Sequence, residues 1–284
     1  MSKIGPILIL FIIFISALST ISQSGLNTDI YKDVKASVVV VQANNSQNEP
    51  LYQGSGFFID KAGDIITNFH IIKGSTKVNV TTADGITYPA KNVLAKDISS
   101  DLACISVNIP TQLVHPMKLN TISPEVGEAI SVIGFPEGPG GVALSMTQGI
   151  VSSVQTLKEY GDVIQITADV SPGASGSPLV NIKSEVIGVT TFGYITGQNQ
   201  NFAVSCKQVS KLIHGISLAQ NISISEWNLT SEEDFYARGI DLCRKGEYNQ
   251  SIYYLEKAIE LNPRDTDAQL IRSAVNGGAK SAQS

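Results

Sequence analysis

Along most of this chain apolar residues come in short β-branched runs or alternate with polar ones, a period of two that belongs to strands. Ser37-Val38-Val39-Val40-Val41 is such a run, followed by the polar loop Asn44 to Pro50. Gly54 to Ile59, the turn Asp60-Lys61-Ala62-Gly63 and Asp64 to Asn68 read as a hairpin, with His70 at the end of its second arm. Val78 to Thr81 and the turn Ala83-Asp84-Gly85 predict another, and Leu102 to Val107 a strand entered through Asp101. Ala129–Gly134, Gly149–Val154, Val163–Thr167 and Glu185–Thr191 continue the series. Many short strands separated by turn residues predict a mainly β fold, a barrel or sandwich. The first helical period appears late, in Val209, Leu212, Ile213 and Ile216 after Cys206.

The character changes after Asn221. Thr230-Ser231-Glu232-Glu233-Asp234 offers overlapping capping boxes. One helix is predicted to about Lys245, broken by Gly246, and a second from about Tyr248 to Glu260, stopped by Asn262-Pro263. Phe235, Gly239, Leu242, Leu255, Ala258 and Pro263 resemble the large, small and stop positions of one tetratricopeptide repeat, with Ser251 where that family usually has Ala. A partial helix is expected from Asp265 to Val275, ended at Gly277-Gly278. A single repeat cannot bury its own apolar face, so the tail is read as a docking module, a self-association piece or a structural hairpin packed on the body.

Ahead of the body, Lys3 precedes an uncharged run from Ile4 to Gln23 whose apolar heart, Ile7 to Leu18, suits a signal peptide, with an uncleaved N-terminal membrane anchor as the alternative. Either reading is extracytoplasmic. The expected organisation is a leader at 1–23, a body at 29–218, a linker at 219–230, the repeat at 231–264 and a capping helix with a disordered tail at 265–284. The net charge of −5 and the lack of a basic run disfavour nucleic acid as a partner. Cys104, Cys206 and Cys243 make neither a disulfide framework nor a metal spacing and read as small buried hydrophobes.

Candidate chemistry gathers at Ser171-Pro172-Gly173-Ala174-Ser175-Gly176-Ser177-Pro178. Small residues there let backbone N–H groups converge beside the Ser175 hydroxyl, although the same string is also an ordinary Gly/Ser/Pro turn. A serine nucleophile needs a base, and the chain has three histidines, His70, His115 and His214. The order Ser, acid, His fails: only His214 follows Ser175, Glu185 is the sole carboxylate between them, and Ser177 replaces the glycine of the nucleophile elbow. The order Asp, His, Ser would use Asp60 or Asp64, but belongs to an α/β fold. The order His, Asp, Ser is met by His70, Asp101 and Ser175, with Asp97 a rival acid. His115 and His214 read as surface or packing residues.

Several strings, in order, resemble the trypsin-like serine proteases of the HtrA/Deg type. They are Gly54-Ser55-Gly56-Phe57, Thr67-Asn68-Phe69-His70, Ser100-Asp101-Leu102-Ala103, Val132-Ile133-Gly134-Phe135-Pro136, the Ser175 stretch and Asn201-Phe202-Ala203-Val204. The resemblance covers about 29–218. It implies a chymotrypsin-like double β-barrel and a serine endopeptidase with His70 as base, Asp101 orienting it and Ser175 as nucleophile. It also implies an oxyanion hole from the N–H groups of Gly173 and Ser175, polypeptide substrates, and no metal or organic cofactor. Nothing resembles the PDZ domain these proteases usually carry; the helical tail stands in its place. Asp169, with Thr190 and Phe202, is a candidate for the specificity pocket. Asp169 would then favour a basic P1 residue; the commoner reading makes it a surface carboxylate, with the small aliphatic P1 preference that the resemblance suggests. The alternative function is a protease-fold binding or chaperone protein that uses the tail to recognise partners.

Overall fold

The computed structural model describes residues 28–45, 48–137, 142–157, 161–191, 201–216, 222–224 and 248–281, with short helical pieces at 235–236, 239–240 and 242–243. The leader at 1–23 lies outside the described residues, and among them no helix is long and apolar enough to cross a membrane. After a helical stretch at 28–34, the chain builds β1 (Val38–Asn44), β2 (Pro50–Phe58), β3 (Asp64–Asn68), β4 (Lys77–Thr81), β5 (Thr87–Asp97) and β6 (Leu102–Val107). These pair antiparallel in the order β5-β4-β1-β2-β3-β6, and β5 also pairs with β6, so the sheet closes. The second barrel comprises β7 (Ala129–Gly134), β8 (Ser145–Leu157), β9 (Gly161–Ile166), β10 (Pro178–Asn181), β11 (Val186–Thr191) and β12 (Asn201–Ser205). It closes in the order β10-β11-β12-β9-β8-β7. The fold is the chymotrypsin-like pair of six-stranded barrels, with helices at the C-terminal end.

Three apolar clusters hold the barrels. Phe58, Ile65, Val80 and Ile105 fill the first barrel, and Val151, Ile164, Leu179 and Ala203 the second. Between them Phe57, Ile66, Leu102, Ile133, Val180, Val189 and Val204 form a seam to which both barrels contribute. That is why β10 and β11 are buried at every position rather than alternating. Each fully buried Ile, Leu or Phe in this seam contributes about 1.5–3 kcal/mol relative to exposure, which fixes the barrels against each other. Helix α2 (Cys206–Gly215) is capped by Ser205, whose side chain accepts from the Lys207 N–H, and closes the seam with Cys206, Val209 and Leu212.

The stretch read as a linker is partly structured. β13 (Ile222–Ser223) pairs antiparallel with Val93 and Asn92 on β5, and Ile224 is buried in the first barrel's cluster. Beyond it, Tyr236, Leu255, Ala258, Ala268 and Val275 form a small core of their own, joined by Ile240, which also packs against the first barrel. Two helices follow, α3 (Tyr248–Leu261) and α4 (Thr266–Ser281). A Cβ at Gly239 would stand 2.7 Å from Leu255 Cγ, so the small residue permits close helix approach. Ser251 is fully buried and donates its hydroxyl to the Gly239 carbonyl at 2.6 Å, which the usual Ala could not do. α4 runs through Gly277-Gly278 instead of ending there. Glycine weakens a helix by about 1 kcal/mol per residue but, unlike proline, keeps its N–H and does not stop one.

Candidate active site

Short helix α1 (Phe69–Ile72) follows β3 directly, packs Phe69, Ile71 and Ile72 into the first barrel's core and carries His70. Asp101 immediately precedes β6, which pairs with β3, so register alone brings the two residues to neighbouring strand ends (Asn68 opposite Leu102). The His70 Nδ1 and Asp101 Oδ2 lie 2.7 Å apart, with the two side chains 11% and 2% exposed. Asp101 Oδ1 accepts the His70 backbone N–H at 2.9 Å, and Oδ2 also accepts the Thr191 hydroxyl at 3.0 Å. Its carbonyl accepts from Asn68 Nδ2 at 2.9 Å and the Phe69 N–H at 3.0 Å. Asp101 adopts φ +54°, a left-handed conformation that costs a non-glycine residue about 1–2 kcal/mol. The bonds at both its ends hold it there. Because the carboxylate can only accept, Nδ1 carries the imidazole proton and Nε2 is left as an acceptor.

Ser175 occupies a turn before β10 that reaches back to the first barrel. Its carbonyl accepts the Ser55 N–H at 2.7 Å, and the Ser55 carbonyl accepts the Thr67 hydroxyl, three residues before His70. A Cβ on Gly54 would meet Ile71 Cδ1 at 2.7 Å and the Ser175 carbonyl at 2.9 Å, so the residue after His70 and Ser175 converge on this glycine. On the other side the Gly176 N–H donates to the Thr190 carbonyl, and the next residue, Thr191, is the one that bonds Asp101. Ser175 is thus bracketed by contacts leading to both His70 and Asp101.

The backbone before Ser175 is equally constrained. Gly173 has φ +88°, and a Cβ there would stand 2.7 Å from the Glu137 N and 2.8 Å from the Phe135 carbonyl. The Pro172 carbonyl accepts the Glu137 N–H and the Gly173 carbonyl accepts the Ser55 hydroxyl. In a planar trans peptide the Gly173 N–H points opposite to the Pro172 carbonyl, away from Glu137. The N–H groups of Ala174, Gly176 and Ser177 all donate within the turn or to β11, whereas those of Gly173 and Ser175 make no backbone hydrogen bond to another described residue. Hydroxyl, imidazole, carboxylate and two such N–H groups are the parts that acyl transfer requires.

Rival carboxylates are engaged elsewhere. Burial pushes the Asp97 carboxyl up, but hydrogen bonds from Ser100 and Ser99 outweigh it and hold the group below its ordinary value. Asp60 and Asp64 share the β2–β3 turn, where burial and then the Asp60 charge raise Asp64 to about 6. His115 and His214 are exposed, and His214 Nδ1 lies 2.6 Å from the Ser210 carbonyl. Asp169 is exposed, and its carbonyl accepts the Thr147 hydroxyl at 2.8 Å. Thr190 is fully buried and gives its hydroxyl to the Ala174 carbonyl at 2.6 Å, while Phe202 is buried opposite Thr191 on β12. Sequence reasoning assigned no role to Ser55 and Asn68, although both lie in strings that carry the resemblance, and it missed Thr191, a polar side chain inside a strand that gave no periodic or motif signal.

Residues 54–189 match the family model of the trypsin-like peptidase domain. The chain is 31% identical over 229 residues (79% of this chain, 30% of the relative) to the anti-sigma-I factor RsgI9 of Acetivibrio thermocellus. It is 35% identical over 153 residues (51% of this chain, 34% of the relative) to the chloroplastic Protease Do-like 1 of Arabidopsis thaliana. Among solved structures it resembles the active form of the Rv3671c protease from M. tuberculosis, with a TM-score of 0.61 and 25% identity, covering 70% of this chain and 88% of that one. The chain thus spans about a third of the length of the two curated relatives.

Proposed function

We propose that this protein is a serine endopeptidase. The observation that carries the reading is the buried 2.7 Å contact between His70 Nδ1 and Asp101 Oδ2, with Ser175 bracketed against both residues. In this reading Ser175 Oγ attacks the scissile carbonyl while His70 Nε2 takes its proton. The negative charge that develops on the carbonyl oxygen is met by the N–H groups of Gly173 and Ser175. His70 then returns the proton to the leaving amine, and water hydrolyses the acyl-enzyme by the same route in reverse. Asp101 stays ionised, holding the tautomer and stabilising the imidazolium. The mechanism asks for no metal or organic cofactor.

Unfolded or damaged polypeptides are the proposed substrates, acted on outside the cytoplasm. Relatives named as probable periplasmic serine endoproteases, DegP-like, support polypeptide substrates and the setting outside the cytoplasm, and the leader-like run at 1–23 supports the setting. The exposed Asp169 supports its reading as a surface carboxylate, and the small aliphatic P1 preference is the one the resemblance suggests, with the buried Thr190 and Phe202 proposed beneath the pocket. The Gly239–Leu255 approach is what a tetratricopeptide-like hairpin needs, and supports that reading of the tail. The test is hydrolysis of unfolded casein: wild type cleaves it and Ser175→Ala does not. If both are inert yet both retain bound casein, the protein binds polypeptides without cleaving them.

A further inference from the structure

The tail enters the site's neighbourhood through a charged contact that the proposed chemistry leaves unexplained. Lys73 caps α1 one turn after His70, donating its N–H to the Phe69 carbonyl. Residues three apart in a helical turn share a face, with Cβ atoms about 5–6 Å apart. Lys73 Nζ lies 2.9 Å from Asp265 Oδ2, and the two side chains are 5% and 6% exposed. The same ammonium stands 3.5 Å from the centre of the Tyr236 ring, again from the tail. Asp265 in turn caps α4: its Oδ1 accepts the N–H groups of Asp267 and Ala268 at 3.0 Å. One carboxylate therefore ties the start of the last helix to the helix that holds His70.

We propose that the Lys73–Asp265 ion pair is a positioning contact for the His70–Asp101 pair, and that the C-terminal helices are thereby part of the catalytic apparatus. It rests on the reading of His70 as the base. Two charges buried this far cost several kcal/mol in desolvation, and an apolar pair often serves stability as well. A contact kept for stability alone has no need of them. Here they fix the end of α1 and present a balanced field to the imidazole, which must become a cation during the reaction. The titratable groups gathered at this point are His70, Asp101, Lys73, Asp265 and Asp267, with Lys96 Nζ 5.3 Å from the centre of the Phe69 ring. The Asp267 carboxyl responds to Asp101, Asp265, Lys73 and His70 together, which marks them as one electrostatic cluster.

The test compares full-length wild type, Asp265→Asn, Lys73→Met and the double variant Lys73→Met/Asp265→Leu. The readout is the second-order rate of Ser175 labelling by a fluorophosphonate, measured across pH, with thermal melting to establish folding. Asp265→Asn leaves the Lys73 ammonium without that carboxylate, disfavours imidazolium, and shifts the acid limb of the profile down by about 0.5–1 pH unit. Lys73→Met leaves the carboxylate without that ammonium and shifts the limb up by a similar amount. The double variant, with both charges gone, returns the limb toward wild type while labelling about 10–100-fold more slowly, through lost positioning. Repeating the series with Asp267→Asn removes a neighbouring carboxyl that titrates in the same range. Folded variants that label at the wild-type rate with unshifted limbs overturn the proposal, and so does faster labelling, which would make the tail a brake. Wild type that does not label at all defeats the serine-hydrolase reading instead, so the two failures are distinct.

Discussion

Asp101 is where the contacts of the candidate site converge. His70, Thr191, Asn68 and Phe69 all donate to it, and its left-handed backbone is held by those bonds. Asp101→Asn keeps the shape but turns one oxygen into a donor and favours the wrong imidazole tautomer, so kcat on peptide substrate should fall about 10⁴-fold with the fold intact. Thr191→Val removes one charge-assisted hydrogen bond, worth about 1.5–3 kcal/mol. A loss of roughly tenfold in kcat with little change in KM is expected, read from the same assay. The order His, Asp, Ser, the β-rich pattern and the resemblance together picked out His70, Asp101 and Ser175 over Asp97 and the other arrangements, and the structure sets His70 against Asp101. Thr191 was not legible in the sequence, since one more threonine in an apolar strand looks like any other until the second barrel closes against the first.

At the scale of elements, the Ser175 turn and the β1–β2 hairpin interlock through glycine. A Cβ at Gly176 would run into the Ser55 carbonyl, at a φ of +82° that side chains rarely adopt. Gly176→Ala should therefore cost more than the roughly 1–2 kcal/mol of the backbone conformation alone, lowering Tm and abolishing casein hydrolysis together. The strands were readable from their β-branched runs, and β6 and β7 match their predicted bounds. Less readable were α1, four residues long, and β13, two residues long. Neither is long enough to show a period, and both form because the barrel offers them partners: an Asp101 carbonyl for one and the edge of β5 for the other.

For the whole molecule, the tail's own small core meets the first barrel's through Ile240, and the two share an electrostatic cluster. Burial first, then the charges of Asp101 and Asp265, raise Asp267 from an ordinary value of 3.8 to about 7. A carboxyl raised on folding binds its proton more tightly in the folded state, so the unfolded state holds fewer protons between pH 4 and 7. Stability therefore falls as pH rises through that window, by up to a few kcal/mol, and the penalty stays constant above it. Asp267→Asn should raise Tm most at about pH 8, less at about pH 5, and leave it nearly unchanged at about pH 3, as calorimetry at the three pH values would read. The tail's helices were legible from their caps and period, but not their contact with α1, since Lys73 and Asp265 stand far apart in the chain and neither belongs to a motif.

The central claim is that Ser175 is a nucleophile activated by His70 and Asp101. A fluorophosphonate warhead reacts with an activated serine and leaves a mass tag that can be mapped by peptide mass spectrometry. The account predicts one tag, on Ser175, absent in Ser175→Ala and formed at least 10³-fold more slowly in His70→Ala. Folded wild-type protein that stays untagged, or carries its tag on another residue, would contradict it.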